Sequence, residues 1–352
     1  MRILFVSDAW LPQVNGVVRT IQTTRDELSR RGHDVHVIGP DPFITLPLPT
    51  YSEIRLALLP GAKLATMIDD LAPDAIHIAT EGPLGWAARE YCLNREIQFT
   101  TSYHTRFPEY IRKRLPIPLS WSYRVLRMFH APASAVMVAT PSVERLLRRR
   151  GFTHLQRWER GVDTEMFRPR DEPLLDLPRP ILLYVGRLAV EKNVQAFLDL
   201  KTPGSKVLVG DGPELAGLQA RYPDAHFLGA KHGEDLARHY AAADVFVFPS
   251  RTDTFGLVVL EALACGVPVA AYPVSGPLDI LGPDGAGVGA LDNDLDAAVA
   301  RALTLDRQAC RAFAEERSWG RAAEQFLSHL DPFERERLRR RAQAAANEEE
   351  AA

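Results

Sequence analysis

The chain alternates short apolar segments with helical segments in two separate series. In the first half, the apolar segments span residues 3–7, 35–38, 75–79, 99–102 and 135–139. In the second half, they span residues 181–185, 206–209, 226–228, 244–248 and 267–270. Strands separated by helices form parallel sheets, and the crossover helices cover both faces of such sheets. The pattern therefore predicts an α/β protein with two doubly wound, Rossmann-like domains.

Length and local composition indicate where the domains begin and end. The 352 residues exceed the usual size of a single core. Residues 169–180 are rich in Pro, Asp and Glu, as linkers are, and Ser318 suits the N-cap of a final helix. The predicted parts are residues 1–170 and 181–317 as domains, 171–180 as the linker, 318–331 as the final helix and 332–352 as a charged tail. The tail is either a solvated helix or a frayed end, and we assign it no function.

Features of the whole chain indicate its cellular compartment. Its longest apolar runs are under ten residues, too short to span a bilayer, and its N-terminus reads as a first strand rather than a secretory signal. Cys92, Cys265 and Cys310 are odd in number and far apart, which favours neither a disulfide framework nor a zinc site. We therefore expect a cytoplasmic protein, either free or peripheral on the inner face of the membrane.

The charge is unevenly distributed along the chain. The net charge of −3 is the sum of +6 over residues 1–170 and −9 over the remainder. Within residues 106–160, twelve Lys and Arg residues face only three Glu residues, a local net charge of +9. Such a concentration of positive charge favours contact with an anionic surface.

One segment, residues 250–270, combines two acids with an open helix start. Asp253 lies in the loop before a predicted helix, Glu261 lies two turns into it, and Phe255 and Gly256 stand between them. A helix N-terminus presents N–H groups and partial positive charge to a phosphate. Carboxylates accept hydrogen bonds from paired hydroxyls. Spacing alone also fits an ordinary amphipathic helix, but the combination suits a nucleoside diphosphate sugar.

This segment resembles the acid-x7-acid signature of the retaining glycosyltransferases of family 4, also called group 1. The first acid of that family is usually Glu, and Asp253 is one methylene shorter. The resemblance extends over roughly residues 1–330 and is to bacterial lipid and polysaccharide hexosyltransferases. It implies the GT-B fold, with the C-terminal helix crossing back to the N-terminal domain. It also implies that Thr254 and Leu257 belong to the donor-binding helix start.

Further segments that follow strands match motifs of the same family. Gly186, Arg187 and Lys192 resemble its Gly-Arg-Leu…Glu-Lys-Asn motif, in which two cations neutralise the diphosphate leaving group. Asn15 and Gly16 form a loop that the resemblance places against the donor phosphates or the acceptor; a plain strand-to-helix turn is the alternative.

Two more loops and one histidine complete the predicted site. Gly210, Asp211 and Gly212 resemble the family's Gly-x-Gly-Pro loop near the nucleotide, although a simple turn explains them nearly as well. Ala230 and Lys231 are placed near the base. His104 resembles the histidine beside the transferred sugar, and the other histidines have no such context.

The sequence favours metal-independent transfer with no cofactor other than the nucleotide sugar as co-substrate. Asp292, Asp294 and Asp296 resemble a metal-binding acid pair, but they precede an Ala-rich helix and are better explained as helix caps. There is no Gly-x-Gly-x-x-Gly fingerprint or P-loop, which argues against nicotinamide and flavin cofactors. No nucleic-acid-binding motif accompanies the arginines at 148–150.

The resemblance implies how these residues act. The acceptor hydroxyl attacks from the face of the departing phosphate, and a phosphate oxygen takes its proton. His104, Arg187, Lys192, Asp253 and Glu261 are the predicted catalytic residues. Asp253 grips sugar hydroxyls, Glu261 holds the ribose, and the cations stabilise the leaving group.

The acceptor and the sugar are less constrained by the sequence. Basic and aromatic residues alternate over residues 106–127, which favours docking on an anionic membrane and a lipid or glycan acceptor. Helices packing on their own domain are the alternative there. UDP-glucose, UDP-glucuronate and GDP-mannose remain open as donors. A nucleotide-sugar 2-epimerase on the same fold and a non-catalytic sugar-nucleotide binder are the rival functions.

Overall fold

The structure is a computed structural model that describes residues 1–13, 15–48, 51–105, 107–114, 117–171, 174–251 and 255–330. The chain divides into two compact units. Unit 1 comprises residues 1–159 together with the C-terminal residues from 323, and unit 2 comprises residues 160–322. Residues 160–170, which we placed in the first predicted domain, therefore belong to unit 2.

Unit 1 contains a six-stranded parallel sheet with the strand order β2-β1-β5-β6-β7-β8. Its strands are β1 Arg2–Val6, β2 Asp34–Ile38, β5 Ala75–Ile78, β6 Thr100–Tyr103, β7 Ala135–Val138 and β8 Leu155–Arg157, with a separate antiparallel pair of β3 Thr45–Leu48 and β4 Tyr51–Ala57. Its helices are α1 Gly16–Arg30, α2 Gly61–Leu71, α3 Pro83–Asn94, α4 Phe107–Arg114, α5 Leu119–His130 and α6 Pro141–Arg149.

Unit 2 repeats the architecture with a parallel sheet in the order β11-β10-β9-β12-β13-β14. Its strands are β9 Ile181–Val185, β10 Ser205–Val209, β11 His226–Phe227, β12 Val245–Phe248, β13 Val269–Ala271 and β14 Gly289–Leu291. Its helices are α7 Val194–Leu198, α8 Leu215–Arg221, α9 Gly233–Ala242, α10 Leu257–Ala264, α11 Ser275–Leu281, α12 Leu295–Ala302 and α13 Arg307–Glu315.

Apolar side chains cover both faces of each sheet. In β1, Ile3 and Phe5 belong to one buried cluster, whereas Leu4 and Val6 belong to another. Because successive side chains of a strand point to opposite faces, this division means that helices pack on both sides. Strand β9 shows the same alternation between two clusters. The predicted pair of doubly wound, Rossmann-like folds is therefore confirmed.

The last helix, α14 Trp319–His329, starts in unit 2 and continues into unit 1. The Ser318 hydroxyl accepts a hydrogen bond of 3.3 Å from the backbone N–H of Arg321, so the predicted cap is confirmed. Phe326 is fully buried and stacks on Phe5, with ring centroids 5.0 Å apart. The predicted crossing of this helix back to the N-terminal unit is thus confirmed. Among the described helices, none is both long and apolar enough to cross a bilayer.

Candidate active site

The strand order of unit 2 defines where a ligand binds to an open sheet. From β9 the chain adds β10 and β11 on one side, and it then returns to place β12, β13 and β14 on the other. The order therefore reverses between β9 and β12. Open α/β sheets bind ligands at such a reversal, beyond the carboxyl ends of the strands. The segments that follow β9 and β12 contain most of the predicted donor residues.

The segment after β9 carries the two predicted cations. Arg187 is exposed, and its carbonyl oxygen accepts a hydrogen bond of 2.8 Å from the Tyr184 hydroxyl. Lys192 ends a short 3-10 helix, Val190–Lys192, and is half-buried. Asn193 then takes a left-handed φ of 53°, and its Nδ2 donates to the carbonyl oxygen of Pro249 at 3.1 Å. This bond ties the cation-bearing segment to the segment that follows β12.

Close backbone packing joins the loops that follow β9, β10 and β11. A Cβ atom at Gly210 would lie 1.9 Å from the Gly186 carbonyl oxygen, so only glycine fits there. The Leu188 N–H donates to the Asp211 carbonyl oxygen at 2.8 Å, and the Gly210 N–H donates to the Gly229 carbonyl oxygen at 2.9 Å. The predicted glycine residues 186, 210 and 212 therefore form one connected rim.

The other predicted residues of this rim differ in their exposure and in their hydrogen-bond or ion-pair partners. The Asp211 carboxylate accepts a hydrogen bond from the N–H of Gly212 at 2.6 Å, which fixes the turn. Ala230 is exposed. The ammonium of Lys231 lies 3.3 Å from the Asp235 carboxylate, four residues further on, so this cation is paired within its own segment.

Helix α10 begins where the sequence predicted. Gly256 is its N-cap with a left-handed φ of 92°, and within the described residues no side chain caps the helix start. Phe255 packs against the buried cluster of unit 2, and Leu257 is the first helical residue. In this first turn the Val259 N–H donates to the Gly256 carbonyl oxygen at 2.9 Å, whereas the N–H groups that precede it have no carbonyl partner within the helix. Asp253 and Thr254 lie outside the described residues.

Glu261 is the buried acid of the site. It is the fifth residue of α10, just over one turn from the helix start rather than the two turns we expected. The residue is 2% exposed, and its Oε2 accepts a hydrogen bond of 2.9 Å from the hydroxyl of Tyr240, which is fully buried in α9. A buried carboxylate needs hydrogen-bond donors, and a ribose diol supplies two.

Unit 1 has a corresponding reversal of strand order between β1 and β5. Asn15 and Gly16 follow β1, as predicted. The Asn15 side-chain oxygen accepts hydrogen bonds of 3.0 Å from the N–H groups of Val17 and Val18, and it thereby caps α1. A Cβ atom at Gly16 would meet nothing within 4 Å, so the backbone there is open to approach.

Asp8 holds the segments after β1 and β5 together. Its carboxylate accepts hydrogen bonds from the Leu84 N–H at 2.9 Å, the Thr80 hydroxyl at 2.9 Å and the Gly85 N–H at 3.3 Å. Burial raises the pKa of Asp8, and the three donors oppose that shift. We assigned Asp8 no role from the sequence; the structure shows that it fixes the start of α3.

His104 lies directly after β6, next to β5 in the sheet. It is half-buried, and its Nε2 lies 2.8 Å from the Ser102 hydroxyl oxygen. Its ring meets the edge of Trp158 at a centroid distance of 5.8 Å. This hydrogen bond and the contact with Trp158 therefore help to orient the imidazole.

Comparison with known proteins agrees with these motifs. Family models described as "Glycosyltransferase Family 4" and "Glycosyl transferases group 1" match residues 14–166 and 179–305, respectively. The chain belongs to the family 4, or group 1, glycosyltransferases. It is thus an enzyme that transfers a sugar from a nucleotide sugar.

Individual relatives of this glycosyltransferase have related chemistry. It is 32% identical to a GDP-mannose-dependent alpha-mannosyltransferase of Mycobacterium tuberculosis, over 98% of this chain and 99% of that one. It is 29% identical to an alpha-monoglucosyldiacylglycerol synthase of Streptococcus pneumoniae, over 77% of this chain and 71% of that one. HepE of Anabaena, solved with UDP and glucose, shares the fold, with a TM-score of 0.69 at 16% identity over 93% of this chain and 98% of that one.

The acids at 292–296 have structural roles in this glycosyltransferase. Asp294 caps α12 by accepting hydrogen bonds from the N–H groups of Asp296 and Ala297, which confirms the predicted cap. Asp292 pairs with Arg301 at 2.8 Å. In the part of the chain that the structure describes, no group of three or more acidic, His or Cys residues is arranged to hold a metal ion.

Sequence reasoning missed several residues that shape the glycosyltransferase site. Tyr240 and Asn193 hold Glu261 and the cation-bearing segment in place, and Asp8 anchors the segment before α1. Asn193 was within a motif that we recognised, so its place beside Lys192 was a usable signal.

Proposed function

We propose that this chain is a retaining, metal-independent mannosyltransferase that uses GDP-mannose and acts on a glycolipid at an anionic membrane surface. The observation that carries the proposal is the convergence of the segments after β9, β10, β11 and β12 on one edge of the unit 2 sheet. That edge carries Arg187 and Lys192 and adjoins the helix that carries Glu261. GDP-mannose is favoured over the UDP sugars by the full-length mannosyltransferase relative.

Each part of the donor has a matching group. The Glu261 carboxylate, held by Tyr240, accepts hydrogen bonds from the ribose hydroxyls. The diphosphate lies against the start of α10 and the side chains of Arg187 and Lys192. As bond breaking transfers negative charge to the diphosphate, the two cations and the helix start stabilise that charge. The cations take the place that a divalent metal holds in other transferases.

The transfer step forms one C–O bond and breaks another at the same carbon. The acceptor hydroxyl attacks the anomeric carbon from the face that the diphosphate leaves, and a phosphate oxygen takes the hydroxyl proton. GDP departs, and the sugar keeps its configuration. Following the family resemblance, Asp253 and His104 hydrogen-bond the hydroxyls of the transferred sugar. Gly186, Gly210 and Gly212 let the backbone approach the nucleotide.

Helix α5 supports a lipid-linked acceptor. It buries Tyr123, Leu126 and Phe129 against unit 1 but exposes a stripe of Trp121, Val125 and Met128. Trp121 is 71% exposed, which is unusual for a large aromatic side chain. These three residues recur every three or four positions, so they lie on one helical face.

Basic residues accompany this stripe. Arg124 is exposed beside it, and Arg148 and Arg149 are exposed at the end of α6. An apolar stripe with a cationic border is suited to the interface of an anionic bilayer. Arg106 and residues 115–116, which belong to the segment predicted to dock, lie outside the described residues. The relative named alpha-monoglucosyldiacylglycerol synthase agrees with a lipid acceptor.

Product analysis tests the proposed function. The full chain is incubated with GDP-mannose, UDP-glucose or UDP-glucuronate and with glycolipid vesicles containing anionic lipid, in the presence of EDTA. Of the three donors, we expect only GDP-mannose to support transfer to the glycolipid. The anomeric configuration of the mannose should be the same in the product as in the donor. An epimerised sugar formed from donor without acceptor would identify an epimerase instead. Stabilisation by a nucleotide sugar without any product would identify a non-catalytic binder.

A further inference from the structure

A line of buried polar groups runs through the unit 1 sheet toward His104. His77 is fully buried in β5 and pairs in register with Thr100 of β6. Its Nδ1 lies 2.8 Å from the Thr100 hydroxyl oxygen, and its Nε2 lies 3.1 Å from the Ser102 hydroxyl oxygen. Both ring nitrogens are therefore engaged by hydroxyls of the neighbouring strand.

Ser102 connects this buried imidazole to the predicted active-site histidine. The Ser102 hydroxyl oxygen also lies 2.8 Å from Nε2 of His104, and Ser102 is 1% exposed. Thr100 and Ser102 are two residues apart in β6, so their side chains lie on the same face of the sheet. A continuous line of contacts therefore runs from Thr100 through His77 and Ser102 to His104.

Aromatic rings pack around His77. Its ring lies 5.4 Å from that of Phe5, 5.0 Å from that of Phe326 and 5.8 Å from that of Trp158, all measured between centroids. Such an aromatic enclosure is an unfavourable place for a polar ring unless each of its nitrogens is hydrogen-bonded. Contacts with these rings do not depend on ring nitrogens, so core packing alone does not require histidine.

The protons available to these groups fix which partner donates in each hydrogen bond of the line. Within the described residues, the partner of the buried Thr100 hydroxyl is His77 Nδ1, so Thr100 donates to that nitrogen. His77 then carries its proton on Nε2 and donates to the Ser102 oxygen. The Ser102 proton goes to His104 Nε2 at 2.8 Å in preference to the Ala79 carbonyl oxygen at 3.4 Å. His104 consequently holds its own proton on Nδ1.

We propose that His77 is a positioning residue that acts through Ser102 to fix both the ring orientation and the Nδ1–H tautomer of His104. The inference rests on the proposed role of His104 in transfer. In that role His104 presents a hydrogen-bond donor at Nδ1 in every molecule. Without the buried line, the imidazole can rotate and exchange tautomers, and only a fraction of the enzyme is set for transfer.

The test compares Ser102→Ala and His77→Phe with Thr101→Val. Thr101 is the matched control, because its buried hydroxyl also contacts a histidine, His130, at 2.8 Å but from the opposite face of β6. We expect S102A and H77F each to lower kcat about tenfold, the effect of one lost hydrogen bond, with donor KM nearly unchanged. T101V should keep kcat within about twofold.

Two further readouts separate positioning from simple loss of structure. In a His104→Ala background, S102A and H77F should lower the remaining rate no further, because they act through His104. ¹⁵N NMR of histidine-labelled protein should show a single Nδ1–H tautomer for His104 in the wild type and a mixture in S102A. If H77F does not fold, S102A alone is compared with the wild type and T101V.

The outcomes distinguish this inference from the proposed function. Equal kcat losses in S102A and T101V, full losses that persist in the H104A background, or an Nε2–H tautomer in the wild type would each overturn the positioning role. If the wild type transfers no sugar from any donor, the proposed function fails instead. The NMR measurement of the His104 tautomer then still decides whether the buried line exists.

Discussion

The hydroxyl of Tyr240 donates a hydrogen bond of 2.9 Å to Oε2 of Glu261, and both residues are buried. The two positions lie 21 residues apart, on α9 and α10. Because the bond holds one carboxylate oxygen, it fixes the direction of the other. A proposed ribose-binding acid therefore has its geometry set before any donor binds.

Removing that hydroxyl should weaken donor binding. A hydrogen bond to a charged group contributes about 1.5 kcal/mol or more, so Tyr240→Phe should raise KM for GDP-mannose about tenfold. Steady-state kinetics with varied donor concentration measures this change. Tyr222→Phe is the control, since the Tyr222 hydroxyl donates to Asp199 at an exposed site. Equal KM values for both variants would show that Tyr240 does not position Glu261.

The glycine at 210 should be indispensable to the nucleotide-binding rim. Gly210→Ala places a methyl group 1.9 Å from the Gly186 carbonyl oxygen, so the two loops must separate. We expect G210A to cost about 2 kcal/mol of stability and to abolish the thermal shift produced by GDP-mannose. Gly217→Ala, in α8 with no atom within 4 Å of the new Cβ, should be neutral or slightly stabilising. A G210A variant with the full ligand shift would contradict the packed rim.

The exposed stripe of α5 should attach the protein to anionic vesicles. Replacing Trp121, Val125 and Met128 together by Ser should reduce vesicle binding at least about tenfold and leave transfer to a water-soluble acceptor unchanged. Co-sedimentation with vesicles of increasing anionic lipid content measures the binding. The control variant replaces Ile44 and Leu59, two other exposed apolar residues of unit 1, by Ser. Binding that is equal for neutral and anionic vesicles would remove the electrostatic part of the proposal.

Asp8 should give the stability a pH dependence of known sign. Its pKa lies above the ordinary 3.8 in the folded protein because of burial, so between 3.8 and the folded pKa the folded state binds more protons than the unfolded state. Unfolding free energy therefore falls as pH rises through that window. Asp8→Ala lacks this slope and leaves three donors without their acceptor, at a cost of about 2 kcal/mol.

The stability deficit of D8A relative to the wild type should thus be largest near pH 4 and shrink as the pH rises. Urea denaturation followed by unit 1 tryptophan fluorescence, at a series of pH values, measures the difference. A deficit that grows with pH would mean that the folded state lowers the pKa of Asp8.

The sequence was sufficient to predict the strands that carry the candidate site. Segments such as residues 181–185 are uniformly apolar and are followed by glycine, so both the strand and the loop after it can be read from local sequence. The pair β3 and β4 was not predicted, because Pro47 within β3 argues against a strand. Strands β8 and β14 have only three residues each, too few for a periodic signal.

Contacts between distant positions limited what could be inferred about the site. Tyr240 reads as an ordinary core aromatic residue of an amphipathic helix, and only the folded chain brings it to Glu261. His77 is likewise separated from Ser102 by 25 residues, and nothing local links them. Motifs therefore identified the groups that we propose to bind the ligand, whereas the residues that hold those groups in place could be identified only from the structure.

The central claim is that Glu261, Arg187 and Lys192 bind one nucleotide sugar. Calorimetric titration of GDP-mannose into the wild type, Glu261→Ala, the double variant R187A/K192A and the exposed-lysine control Lys201→Ala tests it most directly. We predict affinity at least about tenfold weaker for E261A and the double variant, from the loss of charge-assisted hydrogen bonds, and unchanged affinity for K201A. Wild-type affinity in both E261A and R187A/K192A would contradict the claim.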